Sequence, residues 1–168
     1  SIENNIPYLG LCLGMQVMVI SVARSILGRE MANSLEFSTE TPDPVISLMH
    51  NQKDVENLGG TMRLGIYPCE IVENSISHRA YGSVDLVQER HRHRFEFNNE
   101  YRKELDDIGL KATGLSPDGN LVEIMELESH PFMVGVQFHP EFLSRPDEPH
   151  PLFSEFIKFS SEVSKNIE

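Results

Sequence analysis

Apolar residues recur along this chain with two distinct spacings. Met15, Met18, Val19, Val22 and Ile26 fall at i, i+3, i+4, i+7 and i+11, one face of a helix that Gly28 is placed to end. Just upstream, Ile6-Pro7-Tyr8-Leu9 has strand character, so strand and helix are separated only by Gly10 to Gly14. Leu64 to Val72 and Val84 to Val87 predict two short strands, with Pro68 marking an edge or a bulge in the first. Asn98, then Tyr101, Leu105 and Ile108, then Gly109 predict a short capped helix. Ser116-Pro117-Asp118-Gly119-Asn120 predicts a turn that joins Leu110 to Leu115 with Leu121 to Leu127 as a hairpin, and Phe132 to Phe138 predicts a further strand. Leu152, Phe153, Phe156, Ile157 and Val163 predict an amphipathic helix entered through Pro149 and Pro151. Phe37 to Val45, acidic and twice broken by proline, predicts an ordered surface loop. Alternating strands and helices make an α/β fold, and no repeat or low-complexity tract interrupts it.

Candidate chemistry sits where the first strand hands over to its helix. Gly10-Leu11-Cys12-Leu13-Gly14 has the layout of a nucleophile elbow, a sharp strand-to-helix turn that holds one side chain above the sheet end. The helix N-terminus would bias Cys12 toward thiolate, and the Leu13 N–H is a candidate oxyanion donor. A small cysteine packed beside two glycines is the plainer alternative. Near the other end, the predicted strand runs into His139-Pro140-Glu141. Pro140 favours an extended His139, so positions i and i+2 would share a face. Glu141 can then accept from His139 Nδ1–H and leave Nε2 to take a proton from a nucleophile.

Composition narrows the class. A chain of 168 residues holds one domain with a real core. No apolar run approaches the roughly 18 residues that span a bilayer, and Ser1-Ile2-Glu3-Asn4-Asn5 lacks the basic start of a signal peptide. With 26 acidic against 14 basic residues the net charge is −12, which disfavours nucleic acid and requires a local basic patch for any anionic nucleotide. A nucleophilic Cys12 cannot be locked to the second cysteine, Cys69, so a reducing cytoplasm is expected and Cys69 reads as structural. Arg90-His91-Arg92-His93-Arg94 is open to three readings: a phosphate-binding stripe, a His-x-His metal pair for which no third ligand stands nearby, or a strand or loop at a substrate pocket. Gly59-Gly60 before Thr61 lacks the lysine of a P-loop and reads as a flexible turn.

The runs IPYLGLCLGMQ (6–16), LGGTMRLG (58–65), ERHRHRFE (89–96) and QFHPEF (137–142) together resemble the class I glutamine amidotransferases. The second and third runs narrow the resemblance to the glutaminase domain of the CTP synthases. It implies an α/β sheet flanked by helices, with a nucleophile elbow and a Cys12, His139, Glu141 triad. L-Glutamine would be hydrolysed through a Cys12 thioester. Its contacts would map to the Leu13, Gly14, Met15 and Gln16 backbone, to Glu36 and to Arg94. On charge alone Glu36 is equally an ordinary solvated acid. The ammonia would pass to a synthase domain, using ATP and Mg, that aminates UTP to CTP, with GTP as activator and a homotetramer as the assembly. No cofactor or metal is expected in this domain itself.

In that family further strands precede the elbow, with a glycine-rich turn that supplies a second oxyanion donor. Residues 1–168 are therefore expected to be the C-terminal part of the domain, with its N-terminal strands missing and little or no activity by itself. Leu35 and Phe95 stand where the family commonly has Thr and Tyr, which removes two hydroxyls near the glutamine site. Two alternatives stay open: the glutaminase of another amidotransferase, of the GMP synthetase type, or a non-catalytic regulatory or assembly module on the same fold.

Overall fold

The structure is a computed structural model and describes residues 1–48 and 62–165. In chain order the elements are β1 (Tyr8–Leu11), α1 (Leu13–Ser25), β2 (Ala32–Ser34), β3 (Asp43–Leu48), β4 (Arg63–Ile71), α2 (Ile76–Ala80), β5 (Leu86–His93), β6 (Phe95–Phe97), α3 (Arg102–Asp107), β7 (Leu110–Leu115), β8 (Val122–Leu127), β9 (Met133–Val136) and α4 (Pro151–Lys165). Single 3-10 turns at Asn99–Tyr101 and Pro140–Phe142 complete them. The described strands form a six-stranded sheet in the order β1-β9-β8-β7-β4-β5 and a three-stranded sheet in the order β2-β3-β6. In the larger sheet β1 and β9 run parallel, and the other neighbours are antiparallel.

Alternation along the strands builds two apolar layers. On one face α1 lays Met15, Met18, Val19 and Val22 against Met125 and Met133, with α3 and the small sheet alongside. On the other face α2 and α4 cover Cys69, Ile71, Ile124, Phe132, Val134 and Val136. Phe132 meets Phe156 and Phe159 at ring-centroid distances of 5.7 and 5.2 Å. Burying one such phenyl ring is worth roughly 1.5–3 kcal/mol. The Glu126 carboxylate accepts from the N–H groups of Ile76 and Ser77, both at 2.8 Å, which satisfies the start of α2 beneath that layer.

Most elements lie where the apolar pattern predicts, including the hairpin across Ser116 to Asn120 and the Asn98 side chain that accepts from Glu100 N–H. Three differ. First, α1 stops at Ser25, so Ile26 lies beyond it and is exposed; left-handed Gly28 (φ +75°) reverses the chain and lets Arg29 N–H reach Ala23 O at 2.9 Å. Second, the predicted loop gives its last residues to β3, because Asp43 and Pro44 pair with β2 at positions that β6 does not reach, where no proline N–H is required. Third, β5 extends six residues past Val87, since its charged run pairs with β4 from Glu70 back to Arg63 and turns its histidines inward. Pro68 behaves as expected of an edge, for β4 pairs with β7 only at Glu70 and Ile71. The Gly59-Gly60-Thr61 turn lies outside the described residues.

Candidate active site

Cys12 connects β1 to α1 in a conformation that L-residues rarely adopt, with φ +49° and ψ −101°. The flanking glycines explain how the turn closes. A Cβ on Gly10 would lie 2.6 Å from the Gly14 carbonyl carbon and 2.7 Å from the Tyr8 ring, so only glycine fits. The Tyr8 hydroxyl donates to Gly14 O at 2.8 Å and fixes the first turn of α1 above the strand. The Cys12 N–H donates to Val136 O at 2.7 Å, which ties the elbow to β9.

That tie brings in the second motif. Leu11 faces Val136 in the parallel β1–β9 pair, so the chain leaves both strands at one end, toward Cys12 and toward His139. His139 Nδ1–H donates to Glu141 Oε1 at 2.5 Å and leaves Nε2 open. His139, at φ −115° and ψ 85°, falls short of the extended backbone expected before proline, and Glu141 arrives differently as well: Pro140–Phe142 is one 3-10 turn, which swings the carboxylate back to the ring. The His139 N–H holds Arg90 O at 2.8 Å, and the imidazole stacks on Phe142 at 5.0 Å.

Burial pushes the Cys12 thiol above its ordinary range, and the Glu141 and Glu96 carboxylates push it further, against the opposing Leu13 N–H and Gln137 amide. The expected bias of the resting cysteine toward thiolate is therefore corrected: desolvation outweighs the hydrogen bonds, and a base has to take the proton.

Of the residues expected to contact glutamine, Glu36 and Arg94 flank one end of the small sheet. Glu36 lies on the exposed turn that leaves β2, and Arg94 in the bend that enters β6. Ser34 pairs with Ile46, and Leu48 with Phe95, which puts the end of β2 and the start of β6 on the same side. Leu13, Gly14, Met15 and Gln16 form the first turn of α1. Gln16 N–H is already held by Cys12 O at 3.3 Å, and its buried side chain donates to Phe95 O at 3.1 Å and to Gln137 Oε1 at 3.2 Å. Gln16 thus links α1 to the Arg94 bend.

Residue-level reasoning missed the polar groups beneath this site. His91 and His93 do share a strand face, as their spacing implies, but it is the buried one, and the rings bond to each other at 2.8 Å. Phe95 O can only accept, so His93 Nδ1, 3.2 Å away, carries a proton; His93 Nε2 is then an acceptor and His91 Nδ1 its donor. Arg63 sits 2.6 Å from Glu123 and 3.8 Å from Glu96. Burial and Arg63 hold His91 down to about 2 and His93 to about 3, whereas burial and Glu123 push Glu96 up to about 8. The stripe expected to face phosphate therefore divides, with Arg90 and Arg92 outside and uncharged imidazoles inside. A glutamate inside the otherwise apolar run VEIMEL was the available signal for Glu123, and the position of Gln137 two residues before His139 the signal for that amide. Cys69 is buried, and its thiol is pushed strongly upward by burial, as a structural cysteine requires.

Comparison with known proteins agrees with this geometry. Residues 1–159 match the family Glutamine amidotransferase class-I. The CTP synthase of Dehalococcoides mccartyi is 59% identical over 166 residues, covering 99% of this chain and 30% of that protein. For the CTP synthase of Aquifex aeolicus the identity is 56% over 165 residues, 98% of this chain and 31% of that one. The solved glutaminase domain of Trypanosoma brucei CTPS with bound acivicin superposes with a TM-score of 0.90 at 38% identity, over 96% of this chain and 62% of that chain. The chain thus spans about 30% of the length of the curated relatives it matches. Among the described residues no helix is long and apolar enough to cross a membrane.

Proposed function

The chain belongs to the class I glutamine amidotransferase family, and from that premise we propose that it is the glutaminase part of a CTP synthase, hydrolysing L-glutamine to supply ammonia for the amination of UTP. The observation that carries the reading is the parallel pairing of β1 with β9, which sends a cysteine elbow and a His–Glu pair out of the same end of the sheet. Identities of 56 and 59% to proteins named CTP synthase support the choice of acceptor over the GMP synthetase type.

In this reading His139 Nε2 takes the Cys12 proton, and the sulfur attacks the side-chain amide carbon of glutamine. The tetrahedral oxyanion faces the Leu13 N–H at the head of α1. His139 returns the proton to the departing nitrogen, the C–N bond breaks, and ammonia leaves a γ-glutamyl thioester on Cys12. The same imidazole then takes a proton from water, hydroxide attacks the thioester, and glutamate departs as the C–S bond breaks and the sulfur regains its proton. Glu141 holds the ring and balances the imidazolium. Glu36 pairs with the substrate α-ammonium, and Arg94 with its α-carboxylate. The remaining length of the protein supplies the synthase that uses ATP with Mg, GTP acts as activator, and a homotetramer in the cytoplasm is the working form.

The test uses full-length protein carrying Cys12→Ala. CTP formation from glutamine should be lost and formation from added ammonium salt kept, and a diazo-ketone glutamine analogue should label the Cys12 peptide of the unmutated protein by mass spectrometry. Glutamine-dependent CTP formation that survives the substitution overturns the role of Cys12. Amination of another nucleotide in place of UTP moves the chain to a sister amidotransferase. Absence of label together with absence of glutamine turnover favours the non-catalytic module.

A further inference from the structure

A directional chain of hydrogen bonds reaches the nucleophile from the core. It starts at Phe95 O, a backbone carbonyl that can only accept. Gln16 must therefore turn its amide nitrogen toward it, at 3.1 Å, and the second proton of that nitrogen goes to Gln137 Oε1 at 3.2 Å. With its oxygen engaged, Gln137 has its own amide nitrogen left to face Cys12 Sγ, and the separation is 3.6 Å. Both glutamines are buried, at 2% and 0% exposure, so water does not compete for these bonds. Gln137 is held at its backbone as well, its N–H donating to Glu123 O at 2.8 Å. The carbonyl thus dictates the orientation of two amides and, through them, presents an N–H to sulfur.

We propose that Gln137 is a further catalytic residue, whose side-chain amide holds the Cys12 sulfur anion in place for attack, and that Gln16 is a positioning residue that keeps this amide turned donor-first. An amide N–H favours sulfur that bears charge over neutral thiol, so it opposes the desolvation of the pocket. Leu13 N–H adds a second donor beside the sulfur and is required again when the oxyanion forms. Gln137 is the donor that stays on sulfur. Because Phe95 follows Arg94, the same chain ties the nucleophile to the bend expected to receive the α-carboxylate of glutamine. This assignment deepens the glutaminase reading and rests on it for the identity of the electrophile alone.

The test is the pH dependence of Cys12 alkylation by iodoacetamide, which needs no glutamine, read on the Cys12 peptide by mass spectrometry in full-length protein. Gln137→Met keeps the volume and removes the donor: the alkylation midpoint should rise by about one pH unit. Turnover of glutamine should fall by about 10- to 100-fold in kcat/KM, the worth of one hydrogen bond to a charged group. Gln16→Met should move the midpoint the same way by less, and the double variant should match Gln137→Met alone, because the first residue acts through the second. A folded Gln137→Met protein with the unmutated midpoint overturns the proposal, and so do additive effects in the double variant for the part assigned to Gln16. If melting shows that Gln137→Met does not fold, Gln137→Asn, which keeps an uncharged amide but draws it back from sulfur by one methylene, carries the same reading: its midpoint must rise, and an unchanged one overturns the claim. A shifted midpoint in a protein that never hydrolyses glutamine would sink the functional reading and leave the Gln137 assignment standing.

Discussion

His139 with Glu141 and His91 with His93 are both i, i+2 pairs, with contacts of 2.5 and 2.8 Å, yet the fold gives them opposite work. The first pair lies past the end of β9, partly exposed, with one imidazole nitrogen open. The second lies inside the sheet on β5, where burial and Arg63 keep both rings uncharged. One arrangement leaves a partly exposed ring with a nitrogen free to accept a proton, and the other spends every available proton on internal bonds. Spacing and a histidine are shared; what separates the ring proposed as a base from the structural pair is burial, for His139 is partly exposed while His91 and His93 are enclosed.

The largest effect that sharpens the contrast is expected from His139→Ala. Steady-state glutamine hydrolysis should fall by about 10³-fold or more while the melting curve stays put. Glu141→Gln should follow at about 10²-fold, since the ring keeps a partner but loses the charge that steadies its protonated form; kcat against pH would show it. His93→Ala should act on stability instead, costing about 1–3 kcal/mol in urea unfolding by leaving His91 without its acceptor, with hydrolysis changed far less. If His93→Ala matched His139→Ala in activity at an undisturbed melting point, the division would fail.

A subtler effect concerns pH. The folded chain holds His91 and His93 near 2 and 3, below the ordinary 6.5, so as pH falls from 6.5 the unfolded chain takes protons that the folded one refuses, and stability is lost. Glu96, pushed up to about 8 from 4.5, works the other way: between those values the folded chain keeps a proton that the unfolded one releases, so stability is lost as pH rises. From this cluster alone, urea midpoints should peak near pH 6.5. Glu96→Gln should flatten the alkaline limb, and replacing both histidines by Gln the acid limb. The smallest effect belongs to Arg90→Ala on the outer face of β5, whose guanidinium lies 5.9 Å from the Phe142 ring. It should change stability by no more than about 0.5 kcal/mol in the same unfolding assay.

Much of the site was legible before the fold. Cys12 between two glycines, His139 and Glu141 around a proline, and the caps at Asn98 and Gly28 are local signals, because each depends on backbone sterics within a few residues. The Arg-His alternation was legible as a shared face, but nothing in it told which side would be buried, since pairing with β4 decides that. The resemblance implies only a backbone role for Gln16, and nothing local reveals that its side chain bonds to Phe95 and Gln137, the latter 121 residues away in sequence. Ile26 and Asp43-Pro44 were misplaced for a related reason: a helix face and a loop composition do not reveal where a distant strand begins to compete for the backbone.

By itself, then, the order of residues determined an elbow carrying a thiol, a histidine with a carboxylate two positions on, and the helices and turns around them, because steric limits on φ and ψ and the period of apolar residues act over short stretches of chain. Tertiary structure alone decided that β1 lies beside β9, that the inner imidazoles stay neutral, and that a glutamine amide meets the sulfur. Those outcomes depend on strand order and on exclusion of water, and both arise only when segments more than a hundred residues apart pack into one core.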